Sequence, residues 1–383
     1  MKSKINIIAD NKIPFLNGVL EPYSEIRYLA PYEIKRDQVK CADALLIRTR
    51  TKCDSGLLAG TAVRFIGTAT IGFDHIDTGY CDLNGIKWIN APGCNSSSVM
   101  QYIASALASL AGKKGDDLRG KTIGIIGAGN VGTKVAKIAK LLGMNLLLND
   151  PPRARKEGNQ GFVDIAALIE QSDIITFHVP LLRTGIDKTY HMADDEFFGK
   201  FEGEKIIINS SRGQVVKTSS LKDAIRNGKV AAAVLDVWEK EPLIDLELLE
   251  MVSIATPHIA GYSADGKANG TAVCVRKLSD FFNLGLEKDW YPSEIPPPAV
   301  KTALVFDCKK QSCDEIIKDT ILATCNVLKD DEMLRMSPST FEKQRGSYPV
   351  RREFPFHEVQ LLNSNEKIIG LLSELGIQKI ISN

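Results

Sequence analysis

An excess of charge of one sign is missing from this chain. Its 48 basic and 47 acidic residues leave a formal charge of +1, so no chain-wide field exists to draw in a polyanion or an anionic membrane surface. Nucleic acid and membranes are therefore not expected partners. Long apolar runs are missing too: near the N-terminus Asn6 interrupts the stretch Ile5 to Ala9, which is too short for the apolar core of a secretory signal. The expectation is a cytoplasmic protein. Paired cysteines are the third absence. Cys41, Cys53, Cys81, Cys94, Cys274, Cys308, Cys313 and Cys325 form no C-x-x-C pair and do not sit at metal-ligand spacing near a histidine, so reduced thiols and no metal site are expected. No internal repeat is present.

What is there reads as folded and multidomain. A length of 383 residues exceeds one compact core, which makes two or three domains the natural division. With 44% hydrophobic and 25% charged residues, wholesale disorder and a fibrous repeat are excluded. Short apolar runs at Ile5 to Ala9, Ala44 to Ile47, Arg64 to Gly67 and Lys87 to Asn90 alternate with polar or helical stretches, the rhythm of an α/β domain. After Asn95, the residues Val99, Ile103, Ala106, Leu107 and Leu110 line one helical face. Strands are then predicted at Thr122 to Ile126, Asn145 to Asn149, Asp173 to Val179, Lys205 to Ser210, Ala231 to Val237 and Ser253 to Thr256, with helices near Val131 to Leu142 and Ser219 to Asn227. A parallel sheet closes such a series. Thr271 to Asn283 predicts one more helix, and the break Ile295-Pro296-Pro297-Pro298 reads as a linker before a small tail domain with apolar stretches at Thr302 to Phe306, Ile316 to Val327 and Ile368 to Leu375.

Gly127-Ala128-Gly129-Asn130-Val131-Gly132 follows the strand ending at Ile126 and opens a helix. In that context Gly127 permits the tight turn, Gly129 lets a pyrophosphate approach the backbone, and Gly132 brings helix and strand close. Asn130 and Val131, inside the motif, belong to the same cofactor set. Asp150 lies 18 residues beyond Gly132, at the end of the next strand, where a carboxylate receives the adenosine ribose hydroxyls. Its charge favours NAD over NADP, although Arg153 and Arg155 are close in sequence.

Hydride transfer at an alcohol carbon needs a group that takes up or returns the hydroxyl proton near neutral pH. Of the five histidines, His258 is best placed, after Ala255-Thr256-Pro257 at a strand end. That edge is where ligands of open parallel sheets bind. The segment Asp236-Val237-Trp238-Glu239-Lys240-Glu241-Pro242 offers three carboxylates to orient the imidazole, and spacing alone does not choose among them. Arg212, after the strand Lys205 to Ser210, has the chemistry of a bidentate carboxylate clamp. His75 and His178 read as structural.

These residues resemble the D-2-hydroxyacid dehydrogenase family: the glycine motif with distal Asp150, Ser211-Arg212-Gly213, Glu239-Lys240-Glu241-Pro242, and Thr256-Pro257-His258-Ile259-Ala260-Gly261. The resemblance implies an α/β fold with a Rossmann-type NAD-binding domain (96–264), a flavodoxin-like substrate domain (1–95 and 265–295) and a small α+β C-terminal dimerisation domain (296–383). It also implies Arg212 as carboxylate clamp, Glu241 as the acid paired with His258, and His258 as proton acceptor or donor. Further stretches, among them Ala9 to Pro14, Arg48 to Lys52, Gly67 to His75, Asn90 to Asn95 and Asp150 to Ala154, are similar to the branch of that family acting on 4-phospho-D-erythronate. That branch yields 2-oxo-3-hydroxy-4-phosphobutanoate for pyridoxal phosphate synthesis. By carry-over Thr49, Thr70 and Tyr262 contact substrate, while Asp150, Asp236 and Gly261 contact NAD. Two departures stand out: Val179 where a threonine is expected in the cofactor pocket, and Gln101 where a glutamate is expected.

For the phosphate end, Arg48, Arg50 and Lys52 alternate along a strand end and can present donors to a dianion, and Arg351-Arg352 is a second candidate, reaching a partner's site in a homodimer. The expected partner is thus a small phosphorylated hydroxyacid. Two rivals are a dehydrogenase of another hydroxyacid, such as 3-phosphoglycerate, and a non-catalytic NAD-sensing scaffold on the same fold.

Overall fold

The computed structural model describes residues 4–114, 117–298 and 304–383. The chain divides into two units, Met1–Asn95 with Ser263–Pro296, and Ser96–Tyr262 with Pro297–Asn383.

In the first unit five parallel strands, β1 (Ile5–Asp10), β2 (Ser24–Leu29), β3 (Ala44–Ile47), β4 (Phe65–Thr68) and β5 (Lys87–Ile89), lie in the order β2-β1-β3-β4-β5. This is the flavodoxin order, with its switch point between β1 and β3. A parallel sheet buried on both faces needs apolar residues at consecutive positions, and β3 shows why: Leu45 and Ile47 enter one core while Ala44 and Leu46 enter the other. The second face is covered by the helix Ala264–Phe282 through Cys274, Val275 and Leu278. That helix begins seven residues earlier than its apolar spacing suggests. Its first turns carry Gly266 and Gly270 in place of apolar side chains, and a Cβ on Gly270 would stand 2.7 Å from the Ala69 carbonyl oxygen. Close approach, not periodicity, builds that end.

In the second unit β6 (Thr122–Ile126), β7 (Asn145–Asn149), β8 (Ile174–Phe177), β9 (Lys205–Asn209), β10 (Val230–Leu235) and β11 (Ile254–Ala255) form a parallel sheet in the order β11-β10-β9-β8-β6-β7. The order reverses between β6 and β8, so the crevice at their carboxyl ends is the expected ligand site. Ile123, Ile125, Ile174, Ile208 and Val234 pack under the helices Ser96–Lys114 and Asn130–Leu141. Ile126, Ile175, Phe177, Ile207 and Leu235 face the opposite layer.

The tail has its own parallel sheet, β12 (Leu304–Asp307), β13 (Glu358–Leu362) and β14 (Lys379–Ser382), in sequence order. Its inner face shares a core with Ala104, Ala108 and Ile138 of the two helices above. Two further tail helices, Val327–Met336 and Phe341–Gly346, place Val327 in one core of the large sheet and Leu334 and Phe341 in the other. The tail therefore folds as one unit with the sheet it follows.

Candidate active site

The cofactor end is built first, at the switch point. Gly127 has φ +91, and a Cβ there would stand 2.5 Å from the His178 carbonyl oxygen at the end of β8. Gly132 is tighter still, with a Cβ 2.0 Å from the Gly127 oxygen. Gly129 is different: a Cβ would meet nothing within 4 Å, and as N-cap it offers no side-chain acceptor to the helix Asn130–Leu141. The space beside Gly129 is thus open, which leaves room for a pyrophosphate to approach the helix terminus. Asp150 accepts hydrogen bonds from the Ala128 amide at 2.9 Å and the Arg153 amide at 3.1 Å, so it shapes the turn. Arg153 is engaged by Glu157 and the Ala128 carbonyl, and Arg155 by Asp187. Both arginines thus have partners among the described residues. NAD fits this set of donors.

At the next strand ends the three carboxylates of the 236–241 segment separate into three roles. Glu241 Oε2 lies 2.7 Å from His258 Nδ1, and Glu241 Oε1 accepts from the Trp238 amide at 2.9 Å. Burial pushes the Glu241 carboxyl up, but the charge and hydrogen bond of His258 and the Trp238 amide outweigh it and hold the group below its usual range. An ionised carboxylate only accepts, so Nδ1 carries the proton and Nε2 is left as the base. Asp236 is buried beneath the turn: Oδ1 accepts from Thr256 Oγ1 and the Ile259 amide, both at 2.7 Å, and Oδ2 from the Ala260 amide at 2.9 Å. Thr256 spends its proton on Asp236, so Tyr102 donates to it at 2.8 Å. Glu239 binds His191 Nε2 at 2.7 Å and the Thr218 amide at 3.0 Å.

The arginine is tied to the same frame. Asn209 Nδ2 donates to the Arg212 carbonyl at 2.9 Å, and its Oδ1 receives the Ser211 amide and hydroxyl. Gly213 packs so closely that a Cβ would stand 1.9 Å from the Trp238 carbonyl carbon. The loop carrying Arg212 and the loop carrying Glu241 are thus pressed together at one carboxyl edge. His258 itself has φ +56, a left-handed conformation that costs about 1–3 kcal/mol for a non-glycine residue and persists where the surroundings impose it.

The first unit holds its own polar edge at the ends of β1, β3 and β4. Arg48 donates to the Lys12 carbonyl at 3.1 Å, and Thr49 and Arg50 are exposed beside it. Thr70 Oγ1 lies 2.8 Å from Thr68 Oγ1 and donates to the Gly72 carbonyl at 3.0 Å. Asp10 is buried there; desolvation raises its carboxyl above the usual range against the charges of Arg48, Lys12 and Arg50. Lys52 turns away to Asp54 at 2.8 Å, which removes it from this group. His75, taken as structural, binds Thr68 Oγ1 at 3.1 Å and so belongs to it.

Residues 100–260 match the family described as D-isomer specific 2-hydroxyacid dehydrogenase, NAD binding domain. Over 353 residues the chain is 50% identical to the erythronate-4-phosphate dehydrogenase of Bacteroides thetaiotaomicron, covering 91% of this chain and 97% of that one. The chain belongs to the erythronate-4-phosphate dehydrogenase family. The same enzyme of Proteus mirabilis is 37% identical over 375 residues, covering 97% and 98%. Among solved structures, the NAD-bound 3-phosphoglycerate dehydrogenase of Entamoeba histolytica matches with a TM-score of 0.64 at 24% identity, covering 77% of this chain and 100% of that one. The D-lactate dehydrogenase of Aquifex aeolicus, with NAD and lactic acid, matches at 0.63 and 25%, covering 76% and 99%. The chain is thus a member of an NAD-dependent dehydrogenase family with a Rossmann-type domain.

Arg351 is corrected: it is 6% exposed, and its guanidinium donates to Ser98, the Ile259 and Ala260 carbonyls and Cys325, which leaves it no role as an anion ligand in a partner's site. Arg352 is buried with its guanidinium 4.0 Å from the Phe356 ring centre. Gln101 is buried and donates to the Arg352 carbonyl at 3.2 Å. Val179 packs at the glycine turn, its Cγ1 2.9 Å from where a Gly127 Cβ would be. Gly261 and Tyr262 close the His258 turn, Tyr262 edge-on to Tyr348 at 6.2 Å. His178 binds Thr176 Oγ1 at 3.0 Å and is pushed down to about 3 by burial, a neutral structural imidazole. His191 carried no signal in the sequence, since it stands in a loop 48 residues from its partner Glu239. The described cysteines are free, no described group could hold a metal ion, and no described helix is long and apolar enough to cross a membrane.

Proposed function

We propose that the chain oxidises 4-phospho-D-erythronate to 2-oxo-3-hydroxy-4-phosphobutanoate, a step that feeds pyridoxal phosphate synthesis. The observation that carries the substrate is 50% identity, over nearly the whole length, to an erythronate-4-phosphate dehydrogenase. The observation that carries the chemistry is the 2.7 Å His258–Glu241 pair on the same edge as Arg212.

Arg212 holds the substrate carboxylate through paired N–H donors, fixing the adjacent C2. His258 Nε2 removes the C2 hydroxyl proton, and Glu241 stabilises the imidazolium that results. Bound at the glycine turn, NAD supplies the acceptor for the C2 hydride. Gly127, Gly129, Asn130, Val131, Gly132, Asp150, Val179 and Gly261 line its place, with Asp236 acting from below the turn. Phosphate recognition is assigned to the first unit's edge, where Arg48, Thr49, Arg50 and Thr70 gather. Eight free cysteines suit a reducing compartment, and we place the protein in the cytoplasm. Dimerisation is assigned to the outer face of the tail sheet, where Val305 and Ile381 are 50% and 45% exposed in register with Gln360.

Turnover followed by nicotinamide absorbance separates the alternatives. Erythronate 4-phosphate is expected to give the highest kcat/KM, above 3-phosphoglycerate and D-lactate. Arg212→Ala should remove turnover while NAD still binds. Preference for either other acid would overturn the substrate, and tight NAD binding without oxidation of any hydroxyacid would favour a scaffold.

A further inference from the structure

His258 occupies a left-handed backbone conformation, so something must impose it. Asp236 accounts for one side of the turn by taking the amides of Ile259 and Ala260. The carbonyls of those same two residues are held from the other side by one side chain of the tail. Arg351 Nη2 donates to the Ile259 oxygen at 3.2 Å, to the Ala260 oxygen at 2.6 Å and to Ser98 Oγ at 2.5 Å, while Ser98 Oγ donates to the Ala260 oxygen at 2.8 Å. Arg351 Nη1 donates to Cys325 Sγ at 3.1 Å. Two residues next to the catalytic histidine are thus clamped between a buried aspartate and a buried arginine, 1% and 6% exposed.

A guanidinium buried here carries a desolvation cost that an apolar side chain would not. The tail surrounds it with matching chemistry. Tyr348 donates to Asp330 Oδ2 at 2.9 Å, and its ring lies 5.8 Å from the Arg351 guanidinium carbon and edge-on to Tyr262. Arg345, from the same stretch, stands 5.7 Å over the Tyr262 ring. The contacts of Arg351, Tyr348 and Arg345 converge on Ile259, Ala260 and Tyr262, the residues around Gly261.

We infer that Arg351 is a positioning residue for the proton-transfer step: through the Ile259 and Ala260 carbonyls the tail sets the turn that aims His258. The inference rests on His258 acting as the base. It gives the tail a part in catalysis separate from any part in assembly.

The test uses the full chain with Arg351→Met, Arg351→Lys and the milder Ser98→Ala. Arg335→Met is the control, since Arg335 ties the same tail to the Leu249 and Val252 carbonyls and, through Asp331, to the Ala255 amide, all outside residues 259–262. Arg351→Met should lower kcat by about 10- to 100-fold, the scale of a small misplacement of a catalytic group. KM for the hydroxyacid and NAD affinity should stay within about twofold, and lysine should restore part of kcat. Amide hydrogen exchange at residues 259–262 should quicken in Arg351→Met and not in Arg335→Met, while residues 122–149 stay protected. Exchange reads the clamp even if the substrate assignment fails. Unchanged kcat or unchanged exchange in Arg351→Met, or an equal loss of kcat in Arg335→Met, overturns the inference. Should the methionine variant not fold, Arg351→Lys and Ser98→Ala decide by the same readouts.

Discussion

Asp236, Glu239 and Glu241 lie on one short loop, and each is a carboxylate with a different occupation. The spacing in the sequence showed three acids after a strand and could not rank them. What separates them is backbone direction: the turn sends Glu241 to His258, Glu239 to His191 and Thr218, and Asp236 inward to the Ile259 and Ala260 amides. Removing the charge from each should therefore read differently. Glu241→Gln loses the acceptor that fixes the imidazole tautomer and is expected to lower kcat by about 10²- to 10⁴-fold, the range of lost acid–base assistance. Glu239→Gln should lower the melting temperature and leave kcat within about tenfold, because its partners touch no reacting atom. Steady-state kinetics and thermal unfolding of the two variants decide it, and equal kcat losses would mean that the roles are wrongly divided. Arg212 and His258 were legible because each follows a strand end, whereas His191 has no such marker.

At the scale of elements, the strands legible in the sequence were those with a continuous apolar run. β3 and β6 run where the apolar residues do because both their faces are covered, while β7, an edge strand, shows the same run in three partly buried leucines between asparagines. β2 and β13 were not found: SEIRYL and EVQLL mix exposed charged or polar residues with buried ones over short edge or tail strands. The glycine turn was found, and the structure divides its members. A Cβ on Gly132 would collide with the Gly127 carbonyl oxygen, a backbone atom, while one on Gly129 meets open space. Gly132→Ala should consequently destabilise the domain, by about 1–3 kcal/mol if it repacks as an overfilled contact does. Gly129→Ala should fold normally and lose NAD affinity, because its methyl group would occupy space open to the pyrophosphate. Denaturant unfolding alongside NAD titration distinguishes them. A stable Gly132→Ala, or a Gly129→Ala with native NAD affinity, contradicts the assignment.

At the scale of the whole chain, the tail looked like a separate domain because a proline-rich break precedes it. It has its own small sheet and also shares cores with the large one, and its most unusual group is a buried cation with an acid close by. That acid, Asp330, is pushed up to about 6, first by desolvation, with Arg351 and the Tyr348 hydrogen bond acting against it. The consequence for stability has a definite sign. Between the ordinary aspartate value and about 6 the folded chain holds a proton that the unfolded chain has released, so this group's contribution falls as pH rises through that window and is flat above it. Lowering the pH from about 6.5 to about 4.5 should therefore raise the melting temperature of the native chain relative to Asp330→Asn, which cannot titrate. Asp10 and Asp236 are also raised and remain in both proteins, so the difference between the two melting curves isolates Asp330. A difference that stays constant across the window would show that Asp330 keeps its ordinary acidity, and that Arg351 is compensated by the ionised acid at every pH in that range.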